Sequence, residues 1–216
     1  MKRTFLAAIM VFMVLAVVAG CGDGGSTTPT HIVTQIVSDQ AFDGDIEQVS
    51  GGGFTVTQGG NIQSVFAGID PATNLETRAF LNFPLTGAGG VPGNAVIVSA
   101  FLDISIKSIQ PLTGTIPMRI DLVDFQPPTL VASDFDRISQ PALASITVSI
   151  FQTDLGNPVS VDVTPLMIEA QRLGLRDFQV RILEDLGVVS PGLIEINDTT
   201  GVNRGTLAPL LEVTYF

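Results

Sequence analysis

The stretch SDQAFDGDIEQ, residues 38–48, carries four carboxylates around a glycine, at Asp39, Asp43, Asp45 and Glu47. Carboxylate oxygens are the hard ligands that calcium takes, although the spacing here does not complete an EF-hand loop. We therefore favour the alternative, a solvated turn that leads into the first strand. The sequence assigns no metal site and no cofactor, and it leaves open whether calcium binds near these four residues.

Other charged residues fall at positions that face away from the predicted core. A second acidic group, SDFDR at residues 133–137, resembles the first and is weaker as a calcium site. The alternating strands carry Arg78, Asp103, Arg119, Asp121, Arg181 and Glu195 on their outward faces. We interpret these as cross-strand ion pairs on a wet sheet face, each contributing less than about 1 kcal/mol if exposed.

The composition offers few residues from which a catalytic site could be built. His31 is the one histidine, and it lies beside a polar segment that we interpret as a solvated linker. A Ser-His-Asp arrangement would need this side chain to fold back into the domain. The glycine-rich stretches lack the lysine and helix of a phosphate-binding loop. We therefore assign no catalytic and no cofactor-binding residues, and we do not expect an enzyme.

The segments that would position these residues alternate with a period of two. In SAFLDISIKS the apolar face holds Ala100, Leu102, Ile104 and Ile106, and the same alternation recurs in IPMRIDLVDF and in at least four further segments. One buried and one wet face is typical of antiparallel sheets. Because glycine and proline turns separate many short strands, the pattern predicts an all-β antiparallel sandwich or jelly roll.

One segment departs from the strand pattern. In VTPLMIEAQRLG, Thr164 suits an N-cap, Pro165 suits the first helical position and Gly174 suits the left-handed stop. The apolar stripe comprises Leu166, Met167, Ala170 and Leu173. The pattern predicts one short helix near residues 165–173, packed against an end or a face of the sandwich.

The N-terminus reads as an export signal with an attachment point. Lys2 and Arg3 precede an uncharged run of about fifteen residues, which is shorter than the roughly 20 that a membrane span needs. The following Val-Ala-Gly-Cys resembles the lipobox of bacterial lipoproteins, so Cys21 is expected to carry the lipid. A lone cysteine forms no intramolecular disulfide, which agrees with this role.

Three regions follow from this interpretation. Residues 1–20 form the lipoprotein signal peptide, residues 21–38 a flexible tether rich in small polar residues, and residues 39–216 one β-sandwich domain. Without the first twenty residues, eight basic groups remain against 21 acidic ones, a formal charge of about −13. Such a charge disfavours nucleic-acid binding. We expect an extracytoplasmic protein anchored to a bacterial membrane, the outer membrane or the cell surface.

The order of segments is similar to the bacterial DNRLRE-type jelly-roll domains, which are related to carbohydrate-binding modules. The motifs that carry the resemblance are ETRAFLNFPL, VSVDVTPLMIEAQRLG and APLLEVTYF, within residues 43–216. Their matching positions are Arg78, Phe80, Leu81, Phe83, Asp162, Val163, Thr164, Pro209, Leu211, Val213, Thr214 and Tyr215. The resemblance implies a jelly roll. Many members also carry a tryptophan segment that this chain lacks.

Two functions remain open at this point. The favoured one is a non-catalytic module for cell-surface structure or protein association, and the sequence does not identify whether its partner is an envelope protein or a glycan. The alternative is a module that binds a carbohydrate or another envelope polymer. Sugar recognition usually exposes aromatic rings, and this chain has 13 Phe, one Tyr and no Trp. A row of exposed Phe or an open groove would favour the alternative.

Overall fold

The computed structural model describes residues 29–111, 114–126, 128–185 and 191–216. Residues His31–Phe216 form one compact unit. That unit contains twelve strands: β1 (Ile32–Val37), β2 (Gly44–Gln48), β3 (Phe54–Gln58), β4 (Ser64–Ile69), β5 (Glu76–Pro84), β6 (Ile97–Gln110), β7 (Thr115–Val123), β8 (Ala144–Phe151), β9 (Pro158–Asp162), β10 (Asp177–Glu184), β11 (Leu193–Asn197) and β12 (Leu210–Tyr215). The helices are α1 (Thr164–Leu173) and the single turn α2 (Arg204–Leu207).

The strands form one curled antiparallel sheet, which confirms the all-β sandwich expected from the sequence. Hydrogen bonding follows the order β1-β12-β6-β11-β4-β5-β10-β7-β8. Strand β6 connects the two parts of the curled sheet, because its first part pairs with β12 and β9 and its last part pairs with β11. The hairpin β2–β3 is attached through the pairing of β2 with β5.

The main core lies on the apolar faces that the alternation predicts. Ala100, Leu102, Ile104 and Ile106 are all buried, and so is Phe83 on β5. The matching faces of β7, β10 and β12 contribute Ile116, Met118, Ile120, Leu122, Phe178, Val180, Ile182, Leu211, Val213 and Tyr215. The register of these strands was therefore predicted correctly.

Helix α1 confirms the predicted helix and its C-terminal stop, but not its N-cap. Gly174 adopts a left-handed conformation (φ 67°) and closes the helix through bonds to Ala170 and Gln171. Val163 is the N-cap residue, and the Thr164 hydroxyl accepts a 2.9 Å hydrogen bond from the Ala100 backbone instead. The hydroxyl thus joins α1 to β6 rather than capping the helix.

A smaller apolar cluster lies on the opposite face of β5, β10 and β7. Its residues come from β2, from β5, from the end of β7 and from the segment that follows β7; they are Ile46, Phe80, Val123, Phe125, Leu130 and Phe135. The segment 124–143, with a turn of 3-10 helix at Ala132–Phe135, covers this face. Arg78, Asp121 and Arg181, which were predicted to face water, are therefore buried.

The first strand begins earlier than the predicted domain. Strand β1 pairs with β12 from Ile32↔Tyr215 to Val37↔Leu210. It lies within residues 21–38, which the sequence analysis assigns to the tether. The compact unit begins at His31, whose ring stacks on Phe216 with centroids 5.9 Å apart. This histidine is exposed, and it lies at the edge of the sandwich rather than in a linker.

Candidate functional site

An ion network occupies the covered face, with Arg181 of β10 and Asp121 of β7 at its centre. The two residues face each other in the sheet register, and both side chains are wholly buried. Arg181 Nη2 donates to Asp121 Oδ2 at 2.9 Å. The expectation of exposed ion pairs was wrong here, because segment 124–143 removes these strands from water.

Asp121 balances several cations at once. Its Oδ1 accepts hydrogen bonds from Arg119 Nε and from the Ser145 hydroxyl, each at 2.6 Å. Arg137 Nε lies 3.6 Å from the other oxygen. Burial alone would raise the pKa of Asp121, but the hydrogen bonds from Ser145, Arg119 and Arg181 hold that pKa below its ordinary value. The group is an ionised anchor and has no lone pair facing solvent for chemistry.

The covering segment is attached to the sheet by arginines that bind its backbone. Arg181 Nη1 donates to the Asp134 carbonyl at 3.2 Å, and Arg78 Nη1 donates to the Phe135 carbonyl. The Arg78 guanidinium also lies 4.0 Å from the centroid of the Phe135 ring, a cation–π geometry. Glu76 holds the same guanidinium through two hydrogen bonds. Arg78 was also predicted to face outward, and it is buried.

The acidic run of residues 38–48 is divided between three environments. Asp43 and Asp45 are buried, whereas Glu47 is exposed and Asp39 closes a turn by accepting the Ala41 N–H. Asp45 Oδ2 accepts the Phe66 backbone N–H at 3.0 Å. A solvated turn was therefore the wrong interpretation for Asp43 and Asp45, because β2 is inserted between β3 and β5.

Asp43 meets a second buried carboxyl, Asp198, around one guanidinium. Arg204 Nη1 lies 2.7 Å from Asp198 Oδ1, and its Nη2 lies 3.5 Å from Asp43 Oδ2. Burial, followed by the charge of Asp198, raises the pKa of Asp43 to about 8. Asp198 Oδ2 is buried without a hydrogen-bond donor among the described nitrogen and hydroxyl groups. A proton on Asp43 would supply Asp198 with the donor that it lacks.

Several predicted sites give no ligand geometry. Cys21 lies outside the described residues, so the lipid attachment point stays a prediction. Within the described ranges, no group of three or more His, Cys, Asp or Glu side chains is placed to hold a metal ion. In the second acidic group, Asp134 is buried and caps its own turn by accepting the Val131 N–H.

An open cleft of about 670 Å³ borders the covering segment. Sequence reasoning missed it, because it arises from the path of the segment over the sheet. Polar and apolar groups contribute about equally to its lining, which consists of Asp124, Phe125, Gln126, Thr129, Val131, Ser133, Asp134 and Gln140. The volume falls in the range of small-ligand sites. Hydroxyl, amide and carboxylate groups on one wall can exchange hydrogen bonds with a hydroxyl-rich ligand.

Comparison with known proteins does not add a function. No family model matches the chain, and no curated protein shows significant similarity to it. Among the described residues, none of the helices is long and apolar enough to cross a membrane.

Proposed function

We propose that this protein is a lipid-anchored, extracytoplasmic lipoprotein of the bacterial envelope whose β-sandwich is a non-catalytic module for surface structure or protein association. One observation supports the non-catalytic part above all. Asp43, Asp121 and Arg181 are buried, and each is bonded inside the domain: Arg181 to Asp121, and Asp43 to the Asn82 N–H. They contribute to holding the segments of the domain together, where no substrate reaches them.

Attachment is tested by the substitution Cys21→Ser in the full chain. Cells fed a radiolabelled fatty acid should label the wild type and fail to label this variant, which should move from the membrane fraction to the soluble fraction. Ser26→Ala, five residues along the same segment, is the matched control and should keep both label and membrane association. An unlabelled wild type would overturn the proposal.

The open cleft favours a second candidate, the binding of an envelope carbohydrate. Its Asp124, Gln126 and Gln140 side chains offer charged and amide hydrogen-bonding groups. A glycan array probed with the purified protein should return ligands whose binding falls in Asp124→Ala and Gln140→Ala. The control is Thr147→Ala, which lies in a different, smaller depression of the surface. Binding that survives both cleft substitutions would contradict this candidate.

A further inference from the structure

The end of the sandwich that carries the first residue of the compact unit also carries a group of exposed apolar side chains. We call it the tether-end patch, and its members are Ile32, Val33, Val96, Val98, Ile168 and Phe216. Each is between 42 and 57 % exposed. Isolated exposed apolar residues are ordinary, but a contiguous group marks an interaction site.

Backbone contacts bring three members of the patch together, Ile32, Val96 and Phe216. Val96 and Phe216 exchange two backbone hydrogen bonds of 2.8 and 3.1 Å. Strand β1 enters beside them, since Ile32 pairs with Tyr215 and the His31 ring stacks on Phe216. These contacts place the start of β1, the start of β6 and the end of β12 at one end of the sandwich.

A shallow groove of about 450 Å³ extends the patch onto helix α1. Val96, Ile97 and Ile168 line it together with Gly93, Asn94, Ala95, Gln171 and Arg172. Gln171 Nε2 donates to the Pro92 carbonyl at 2.6 Å and holds the loop against the helix. The one charged side chain in the lining, Arg172, is paired with Glu169 at 2.6 Å. This end is thus close to neutral in a chain with a large acidic excess.

The residues between Cys21 and the compact unit suggest which surface lies next to the patch. Residues 22–30 connect Cys21 to His31, and even a fully extended stretch of that length spans at most about 35 Å. A lipid on Cys21 would therefore hold the start of the compact unit within about 35 Å of the bilayer surface. Apolar side chains held at that distance gain free energy by entering the interfacial region.

We infer that the tether-end patch rests on the lipid surface, so that the protein lies against its membrane with a fixed orientation. This inference depends on the proposed lipid attachment at Cys21. The acidic remainder of the domain then points away from the bilayer, and the cleft beside segment 124–143 is held at a constant height and direction.

The test uses the full, lipidated chain in vesicles of phosphatidylethanolamine and phosphatidylcholine. Because Cys21 is the one native cysteine and the lipid blocks it, a single introduced cysteine accepts a fluorophore at a chosen site. Val96→Cys and Phe216→Cys report on the patch. Val202→Cys is the control, because this fully exposed residue precedes Arg204, which binds Ser38 at the far end of β1.

Brominated phosphatidylcholine should quench the fluorophore at positions 96 and 216 and leave position 202 unquenched. Iodide dissolved in the water should quench the fluorophore at position 202 and leave positions 96 and 216 unquenched. Equal exposure of all three sites to iodide, on protein that floats with the vesicles, would overturn the inference and leave lipid attachment intact. Protein that carries no lipid and does not float would overturn the proposed attachment, and the inference with it.

A second copy of the chain could also cover the patch, and dilution separates the two cases. Quenching by brominated lipid that persists when each vesicle carries at most one copy supports the lipid contact. Protection from iodide that disappears on dilution would show that the patch faces another copy, and it would overturn the inference. The fluorophores lie on exposed side chains, so none of these variants disturbs the core.

Discussion

Arg181 Nη2 and Asp121 Oδ2 lie 2.9 Å apart on neighbouring strands, and neither side chain has any contact with solvent. Two further cations, Arg119 and Arg137, reach the same carboxylate. Removing this acid would leave the wholly buried Arg181 guanidinium without its counter-charge, beside the partly exposed Arg119 and Arg137. The contribution of Asp121 to the free energy of unfolding therefore depends on the desolvation of buried charge rather than on the attraction within any one pair.

We expect Asp121→Asn to lower the free energy of unfolding by about 3 to 5 kcal/mol, because breaking a buried pair leaves uncompensated charge. Urea unfolding followed by circular dichroism measures the difference. The matched control is Asp103→Asn on β6, a half-buried aspartate, for which a loss below about 1 kcal/mol is expected. Similar losses for the two variants would show that the covering segment does not exclude water from Asp121.

A double variant distinguishes the contribution of the Arg181–Asp121 pair to stability from that of the groups around it. Replacing Arg181 and Asp121 together with Met and Leu removes both charges while filling the space. A loss smaller than that of Asp121→Asn is expected, since apolar replacements of a buried pair are often neutral or stabilising. If the double variant unfolds more easily than the single one, the carbonyl of Asp134, which Arg181 also binds, carries more of the stability than the ion pair does.

The core prediction concerns Leu102 of β6. This side chain is fully buried between β12 and β9, where it pairs with Leu211 and Val161. Leu102→Ala should cost about 2 to 5 kcal/mol, and Leu102→Met, a volume-conserving change, less than about 1.5 kcal/mol. Thermal or urea unfolding checks both. Equal costs for the two substitutions would contradict tight packing at this position.

The sequence predicts the sandwich well because its main core follows a strict alternation. Leu102 and Ile104 were placed inward on that basis alone, and a register error of one residue would have inverted every face. Gly174 marked the helix end because its left-handed conformation favours glycine. These features are local, so a pattern of two to ten residues is enough to reveal them.

The covered face was not predictable from the same pattern. Arg181 and Arg78 alternate with core residues just as exposed charges do, and their burial depends on a segment distant in the sequence. The sequence did contain one indication of this burial. Segment 124–143 carries Phe125, Leu130 and Phe135, large apolar side chains that favour packing against another part of the domain. The pairing of Asp43 with Asp198 depends on residues more than 150 positions apart, and no short motif connects them.

The Asp43 carboxyl should make stability depend on pH. Its pKa is raised to about 8, and that of Asp45 to about 6, in both cases chiefly by burial. An unfolded aspartate titrates near pH 4, so between about pH 4 and pH 8 the folded state holds more protons than the unfolded chain. Stability should therefore fall as pH rises through this window, by up to about 1.4 kcal/mol per pH unit for one proton.

Asp43→Asn should remove most of this slope, because the amide cannot ionise. Urea unfolding at pH 5, 6, 7 and 8 measures it for the two proteins. Asp45→Asn is the control, and it should flatten the slope only below about pH 6. A wild type whose stability rises steadily from pH 5 to pH 8 would contradict a protonated Asp43.

Calcium should not act specifically on the acidic run of residues 38–48. Asp45 is bonded to the Phe66 N–H, Asp43 faces Asp198 and Arg204, and Glu47 is exposed, so the carboxylates do not converge on one point. Divalent ions should still raise the unfolding midpoint slightly, because they screen an acidic chain.

We therefore expect millimolar calcium and magnesium to shift the midpoint equally relative to chelator, and Glu47→Gln to leave the shift unchanged. A site occupied at 100 times its dissociation constant would instead add about 2.7 kcal/mol for calcium alone. A calcium-specific gain that Glu47→Gln abolishes would show that these carboxylates rearrange around the ion.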